Sequence, residues 1–421
     1  MRYLLLLFSL SSHLIQAQTA PALTALSNVT IIDANHRSGL PHQTILISGK
    51  KILKIFNDGA SDMPDSCTVF NLSGKYVIPG LIDTHVHLAT DPSGTDNRAA
   101  TLDVLHRMLY SGITSVRDMA GDARTLAGLA RDAITGDIIA PDIYYSALMA
   151  GPAFFTDPRT QASTAGLLAG QTPYMRAITD STNLVWAVAE AKGTGATGIK
   201  LYADLDAPLV GKIVAEAKRQ GMLVWGHAWL KPAKPTDMVK AGVSSISHAP
   251  LLIYDLLDSI PSSWKTSKHD TEYWNKAVTT RMLLFDLMKE HHTILDATLT
   301  TYQQWGQQDT THLYSYELGK RLTAAAYRAG VAICAGTDDD QSAFVQEEMK
   351  LLVKDAGLSN IDALIAATLH GAQALGIEKD CGTIEVHKKA DLVVLDGNPL
   401  EDISNTQLVH MVVKNGKVFK K

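Results

Sequence analysis

Six side chains suited to holding a metal ion or moving protons stand at the ends of short apolar runs: His85, His87, Lys200, His227, His248 and Asp338. His85 and His87 close the stretch Ile78-Pro79-Gly80-Leu81-Ile82-Asp83-Thr84-His85-Val86-His87. Residues two apart on a strand share a face, so both imidazoles can point into one space. Lys200 lies within Gly198-Ile199-Lys200-Leu201-Tyr202, where an ammonium is costly to bury unpaired. His227 ends Leu223-Val224-Trp225-Gly226-His227, His248 ends Ile246-Ser247-His248, and Asp338 follows Ala335-Gly336-Thr337. Each alone reads as a polar residue capping a strand. Set at the same ends of several strands, the six converge on one small volume. A mixture of imidazole and carboxylate suits one or two divalent ions, zinc first, with manganese or iron as alternatives.

The elements that must position these residues follow from the apolar pattern. Eight candidate strands, 81–88, 113–119, 143–149, 197–202, 222–228, 244–249, 293–299 and 331–337, alternate with helical stretches. That is the signature of repeated strand–helix units. Gly112, Gly221, Gly242 and Gly330 precede four of them, each suited to a left-handed residue closing a helix. The pattern predicts an α/β fold: a (β/α)8 TIM barrel with all six residues at the C-terminal ends of its strands. A doubly wound open sheet is the alternative, but no Gly-rich phosphate loop follows any strand. Runs of β-branched residues near both termini, such as Val29-Thr30-Ile31-Ile32 and Leu392-Val393-Val394-Leu395, predict a small β-sandwich domain built from the two ends. The expected boundaries are 19–78 and 379–421 for that domain and 79–378 for the barrel. Long connections at 150–180 and 250–280 leave strand C-termini, where barrel enzymes place specificity loops.

These stretches resemble the amidohydrolase superfamily, in particular its imidazolonepropionase-like and prolidase-like (Xaa-Pro dipeptidase-like) branch. The likeness is carried by 78–87, Gly112-Ile113-Thr114-Ser115-Val116-Arg117-Asp118, Gly198-Ile199-Lys200, Ala335-Gly336-Thr337-Asp338 and Lys389-Ala390-Asp391-Leu392-Val393-Val394-Leu395-Asp396-Gly397-Asn398-Pro399. It implies His85, His87 and Asp338 on the more buried metal. It also implies Lys200, carboxylated by carbon dioxide, bridging to a second metal held by His227 and His248. A water shared between two such ions is a hydroxide nucleophile near neutral pH, with Asp338 as general base and then acid. The implied reaction is hydrolysis of an amide or peptide C–N bond in a small substrate, a dipeptide or an N-acyl amino acid. Tyr202, Arg159 and Trp229 are candidate substrate contacts, Arg159 through a carboxylate, with Phe154 and Phe155 as further apolar lining. The chain departs from the family pattern in the loop 146–159 and at His370-Gly371, where an Asn-Pro pair is common. The alternatives are a mononuclear deaminase, a cyclic-amide hydrolase of the imidazolonepropionase type, and a non-enzymatic binding protein. Ala228-Trp229 after His227, where deaminases carry a glutamate, argues against the first.

The remaining features bound the setting. Arg2 followed by Tyr3-Leu4-Leu5-Leu6-Leu7-Phe8 and a polar stretch to Ala17 reads as a secretory signal peptide over 1–18, implying a periplasmic or secreted protein. The run is too short to span a bilayer, so no membrane association is expected after cleavage. A net charge of −5 lacks the basic excess of a nucleic-acid binder. The partner that the resemblance implies is a small-molecule substrate, and a homo-oligomer is left open. Three cysteines are too few for a disulfide framework. Export would permit one bridge between Cys67 and Cys381 across the terminal domain.

Overall fold

The computed structural model describes residues 23–59, 63–90, 97–257, 283–309, 312–339 and 344–420. The segment read as a signal peptide and most of the connection 250–280 lie outside these residues. Four strands open the chain: β1 (Leu23–Ile31), β2 (Leu40–Ser48), β3 (Lys51–Asn57) and β4 (Cys67–Pro79). Nine follow in the middle: β5 (Leu81–Val86), β6 (Ile113–Asp118), β7 (Asp142–Ala150), β8 (Met175–Ala177), β9 (Gly198–Leu201), β10 (Leu223–His227), β11 (Ser245–Ser247), β12 (Ile294–Asp296) and β13 (Ile333–Cys334). Three more close it: β14 (Leu392–Leu395), β15 (Val409–Lys414) and β16 (Lys417–Lys420).

The central strands pair in parallel in the order β5-β6-β7-β9-β10-β11-β12-β13, with β8 added beside β7. The first and last meet where Thr84 N–H donates to Ala335 O at 3.0 Å, nearly closing a barrel surrounded by helices. Each of the eight predicted strands overlaps one observed strand, and β7 runs one residue past its expected bounds at each end. Gly112, Gly221, Gly242 and Gly330 all take positive φ, which only glycine adopts freely. The connection after β7 is not bare loop. It holds a 3₁₀ turn (Pro152–Thr156), a short helix (Pro158–Ser163) and β8.

The terminal strands form one seven-stranded sheet in the order β16-β15-β14-β4-β1-β2-β3. β1 runs parallel to β4, and the other neighbours are antiparallel. Its side chains bury a separate core that includes Leu26, Ile45, Val77, Leu392 and Met411. Exposure alternates along β1 only from Asn28 to Ile31, whereas β2 is buried at five consecutive residues, Gln43 to Ile47, as a strand covered on both faces should be. At the junction with the barrel, Lys414 from β15 meets Asp142 at the start of β7 and Asp391 beside β14, each at 2.8 Å. Lys389 adds a contact of 2.9 Å to Asp142. The expected Cys67–Cys381 bridge is absent. Both are free thiols, Cys67 beside Met63 and Cys381 packed in an apolar cluster with Ile82 and Ala372.

Candidate active site

The C-terminal ends of the barrel strands surround a cavity of about 440 Å3 whose lining includes His85, His87, Lys200, His227, His248 and Asp338. Within it, one ligand atom each from His85, His87 and Asp338 lies within 4.8 Å of the others. Asp338 Oδ1 stands 3.1 Å from His87 Nε2 and 3.5 Å from His85 Nε2. The remaining imidazoles form a contiguous arc. Ring centroids are 5.0 Å apart for His85 and His248, and 4.4 Å for His248 and His227.

Strand geometry and local hydrogen bonds hold these groups. His85 ends β5 on the inner face, and Asp338 N–H donates to His85 O at 2.8 Å, locking the end of the last strand against the first. Buried Asp118 accepts from the N–H groups of Leu88 and Ala120 at 2.6 and 3.1 Å. That fixes the turn carrying His87. Trp229 N–H donates to His227 Nδ1 at 3.1 Å, and His248 Nδ1 lies 3.0 Å from Thr298 Oγ1. His248, Thr298 and Asp338 have φ of 79°, 53° and 51°. Left-handed backbone at non-glycine residues is strained and persists where surrounding structure enforces it, often at functional sites.

Burial sets the electrostatics. Removal from water holds the His85, His227 and His248 imidazoles well below their ordinary pKa, so they are neutral and can offer lone pairs. Burial likewise pulls Lys200 down to about 7. Among the described residues its one hydrogen bond is to Ser247 Oγ at 3.4 Å. Burial works against the charged forms of His87 and Asp338 too. For His87 the Asp338 contact outweighs it and raises the pKa, and for Asp338 the two imidazoles outweigh it and lower the pKa. Among the described residues, none is a hydrogen-bond partner of the buried His87 Nδ1. Two ring nitrogens facing one ionised carboxylate, beside neutral imidazoles and a near-neutral amine, form a donor set that fits a borderline divalent cation.

The walls are apolar with few polar anchors, as ligand sites generally are. Met119, Leu148, Phe154 and Met175 line one side, and Tyr302 and Trp305 line the other. Tyr202 lies between wall and imidazoles, its ring centroid 4.5 Å from Phe154 and 4.1 Å from His227. Arg159 also lines the cavity and interacts with the Tyr202 hydroxyl. It is paired with Asp157 through two contacts of 3.0 and 2.7 Å. Trp229 does not belong to the described lining, and it acts on His227 through its backbone. Phe155 is buried behind Phe154. The sequence reading passed over Asp296, 2.8 Å from His85 Nδ1, and Arg117 beside it. Both are charged residues inside apolar strands, the same signal that singled out Lys200.

A nearly closed barrel with histidines, a lysine and an aspartate at its strand ends defines a hydrolase architecture that comparison then specifies. Residues 76–419 match the amidohydrolase family, and the chain belongs to it. It is thus a hydrolase acting on C–N bonds. An ochratoxinase of Aspergillus niger is 26% identical over 479 aligned positions, covering 98% of this chain and 91% of that protein. The crystal structure of A. niger ochratoxinase superposes with a TM-score of 0.77 at 22% identity, over 96% of each chain. That of a Xaa-Pro dipeptidase with methionine bound in its active site gives 0.76 at 23% identity, over 95% of this chain and all of the other. At these identities the two structures speak for the fold.

Proposed function

We propose that this chain hydrolyses an amide bond in a small carboxylate-bearing substrate, a dipeptide or N-acyl amino acid, with His85, His87, Lys200, His227, His248 and Asp338 as the residues that hold divalent metal. The observation that carries this reading is the convergence of His85, His87 and Asp338 within 4.8 Å, in a cavity that the other three residues also line. A divalent ion held by these residues would supply Lewis acidity, to polarise the scissile carbonyl and acidify water. Asp338 is ionised and central, so it can accept a proton from the attacking water and return it to the leaving nitrogen. The Lys200 amine, near-neutral at physiological pH, retains the lone pair needed to add carbon dioxide with loss of a proton. Tyr202 and Arg159 stand at the side of the cavity where a substrate carboxylate can be held, and Met119, Leu148 and Met175 exclude water beside it. A carboxylate contact with Arg159 is worth ~1.5–3 kcal/mol.

The test is a screen of metal-loaded protein against N-acyl amino acids, dipeptides and their C-terminal amides, in wild type and Arg159→Ala. Wild type should favour the free acids by about tenfold or more, and Arg159→Ala should lose that preference. Equal turnover of acid and amide by both proteins removes the carboxylate requirement. Metal analysis of the same samples counts the ions, and a single ion per chain favours a mononuclear centre on His85, His87 and Asp338.

Export is a separate proposal, resting on the Arg2–Ala17 pattern. N-terminal sequencing of protein from its native host should find that segment removed, and an intact Met1 would refute it.

A further inference from the structure

Beneath the cavity, the barrel interior departs from the apolar layers that usually fill it. Arg117 from β6 and Asp296 from β12 are both wholly buried. Arg117 spreads its donors over three other strands: Nε to Thr84 O at 2.6 Å, Nη1 to Ser245 Oγ at 3.0 Å and Nη2 to Asp296 Oδ2 at 3.3 Å. Its guanidinium also lies 4.8 Å from the centroid of the Trp225 ring. Asp296 Oδ2 accepts from Ser247 Oγ at 2.9 Å and lies 2.8 Å from His85 Nδ1. A Cβ on Gly336 would come within 2.4 Å of Asp296 Oδ1 and 2.7 Å of His85 Cβ, so the last strand leaves room for this pair by having no side chain there.

We propose that Asp296, braced by Arg117, is the positioning residue that fixes the tautomer and aim of His85. The inference rests on the proposed metal-dependent function. A neutral imidazole carries one N–H, and a carboxylate at 2.8 Å accepts it at Nδ1. Nε2 is then left with its lone pair toward Asp338 and the cavity. A carboxylate behind a ligating histidine also raises the basicity of the ring, and its loss typically costs 10–100-fold in metal affinity. Asp296 needs a cation nearby to remain charged at this depth, and an arginine fork is the side chain that can reach three strands at once. Arg117 therefore sets the direction of Asp296, and Asp296 sets the direction of His85.

The experiment compares metal binding in wild type, Asp296→Asn and Arg117→Lys. Asp296→Asn keeps volume and one oxygen but removes the charge. Zinc affinity, measured by competition with a chromophoric chelator, should fall ~10–100-fold in Asp296→Asn and less in Arg117→Lys. The visible spectrum of the cobalt-loaded variants should also change as the first histidine reorients. Thermal melting of metal-depleted protein provides the structural readout. If Asp296→Asn fails to fold, Arg117→Lys carries the test on the same two measurements. Wild-type affinity and an unchanged cobalt spectrum in the variants overturn the proposal. So does a loss of affinity fully matched by loss of the metal-free fold. If wild type itself takes up no metal, the functional reading fails and this inference falls with it. If wild type binds and the variants bind equally well, only this inference falls.

Discussion

Among the described residues two lysines are buried, Lys200 at 1% exposure and Lys414 at 4%, and they are treated in opposite ways. Lys414 sits between the terminal sheet and the barrel with a carboxylate on either side, each at 2.8 Å. Lys200, at the barrel mouth, has one hydroxyl at 3.4 Å and forms no ion pair among the described residues. The first arrangement compensates a buried charge and clasps two parts of the structure. The second leaves the charge uncompensated, so burial shifts the amine toward neutrality at about pH 7. A lysine that stability would not select, retained in a cavity, marks chemistry. A lysine fully paired in a junction marks architecture.

That contrast breaks most readily at Lys200. Lys200→Met should lower turnover on the order of 10³-fold, the equivalent of several kcal/mol of lost electrostatic stabilisation. Melting of the metal-free protein should stay level or rise, because an apolar side chain replaces an unpaired cation. Added acetate should restore part of the activity of Lys200→Ala if the lysine acts as a carboxylate. Full turnover in either variant would reduce Lys200 to a packing residue. Lys414→Met should do the reverse. It takes the cation from Asp391 and leaves Asp142 with Lys389 alone, and should cost ~3 kcal/mol in denaturant unfolding, with kcat/KM within a few-fold of wild type. An activity loss larger than the stability loss would dissolve the distinction.

Glu348 sharpens the comparison from a third side, as a buried carboxylate satisfied by neutral donors. It accepts from Leu299 N–H, Thr300 N–H and Thr300 Oγ at 3.0, 2.8 and 2.7 Å, at the start of the helix Leu299–Gln308 that carries Tyr302 and Trp305. Burial raises its pKa from the ordinary 4.5 to about 8. A raised acid favours the folded state fully while protonated, below about pH 4.5. That contribution is lost progressively as the pH rises to about 8. The stability of Glu348→Gln relative to wild type should therefore climb across that window, by at most ~1.4 kcal/mol per pH unit. A flat difference between the two unfolding curves would show that the helix-start donors carry the charge without penalty.

The barrel was legible because its strands are short apolar runs that end in chemistry-bearing residues. Each run is buried on both faces, so composition alone marks it. The ligand candidates were legible for the same reason, since a histidine or lysine within such a run needs a purpose. Arg117 and Asp296 carried an equal signal, but their roles depend on β6 and β12 facing each other across the barrel. Sequence order does not show that. The candidate contacts failed to separate for a similar cause. Tyr202 and Trp229 each lie two residues past a strand-end ligand or candidate, yet of the two Tyr202 lines the cavity, while Trp229 donates its N–H to His227 and sets its ring edge-on to that imidazole, centroids 6.4 Å apart. The carboxylate cap at the start of the helix Leu299–Gln308 comes from Glu348, far along the chain, and no local pattern announces it.

The terminal sheet has a bearing on how the protein is made. β4 lies between β1, from the beginning of the chain, and β14, from near its end, with Leu392 paired to Pro79 and Leu395 to Tyr76. On the ribosome, β1 to β4 emerge early and must wait for most of the polypeptide before β14 can dock. Until then the edge of β4 exposes unpaired backbone groups, which are a template for association with other chains. The last strands to be synthesised thus cover the oldest exposed edge. A chain truncated before β14 should be the form most dependent on chaperones.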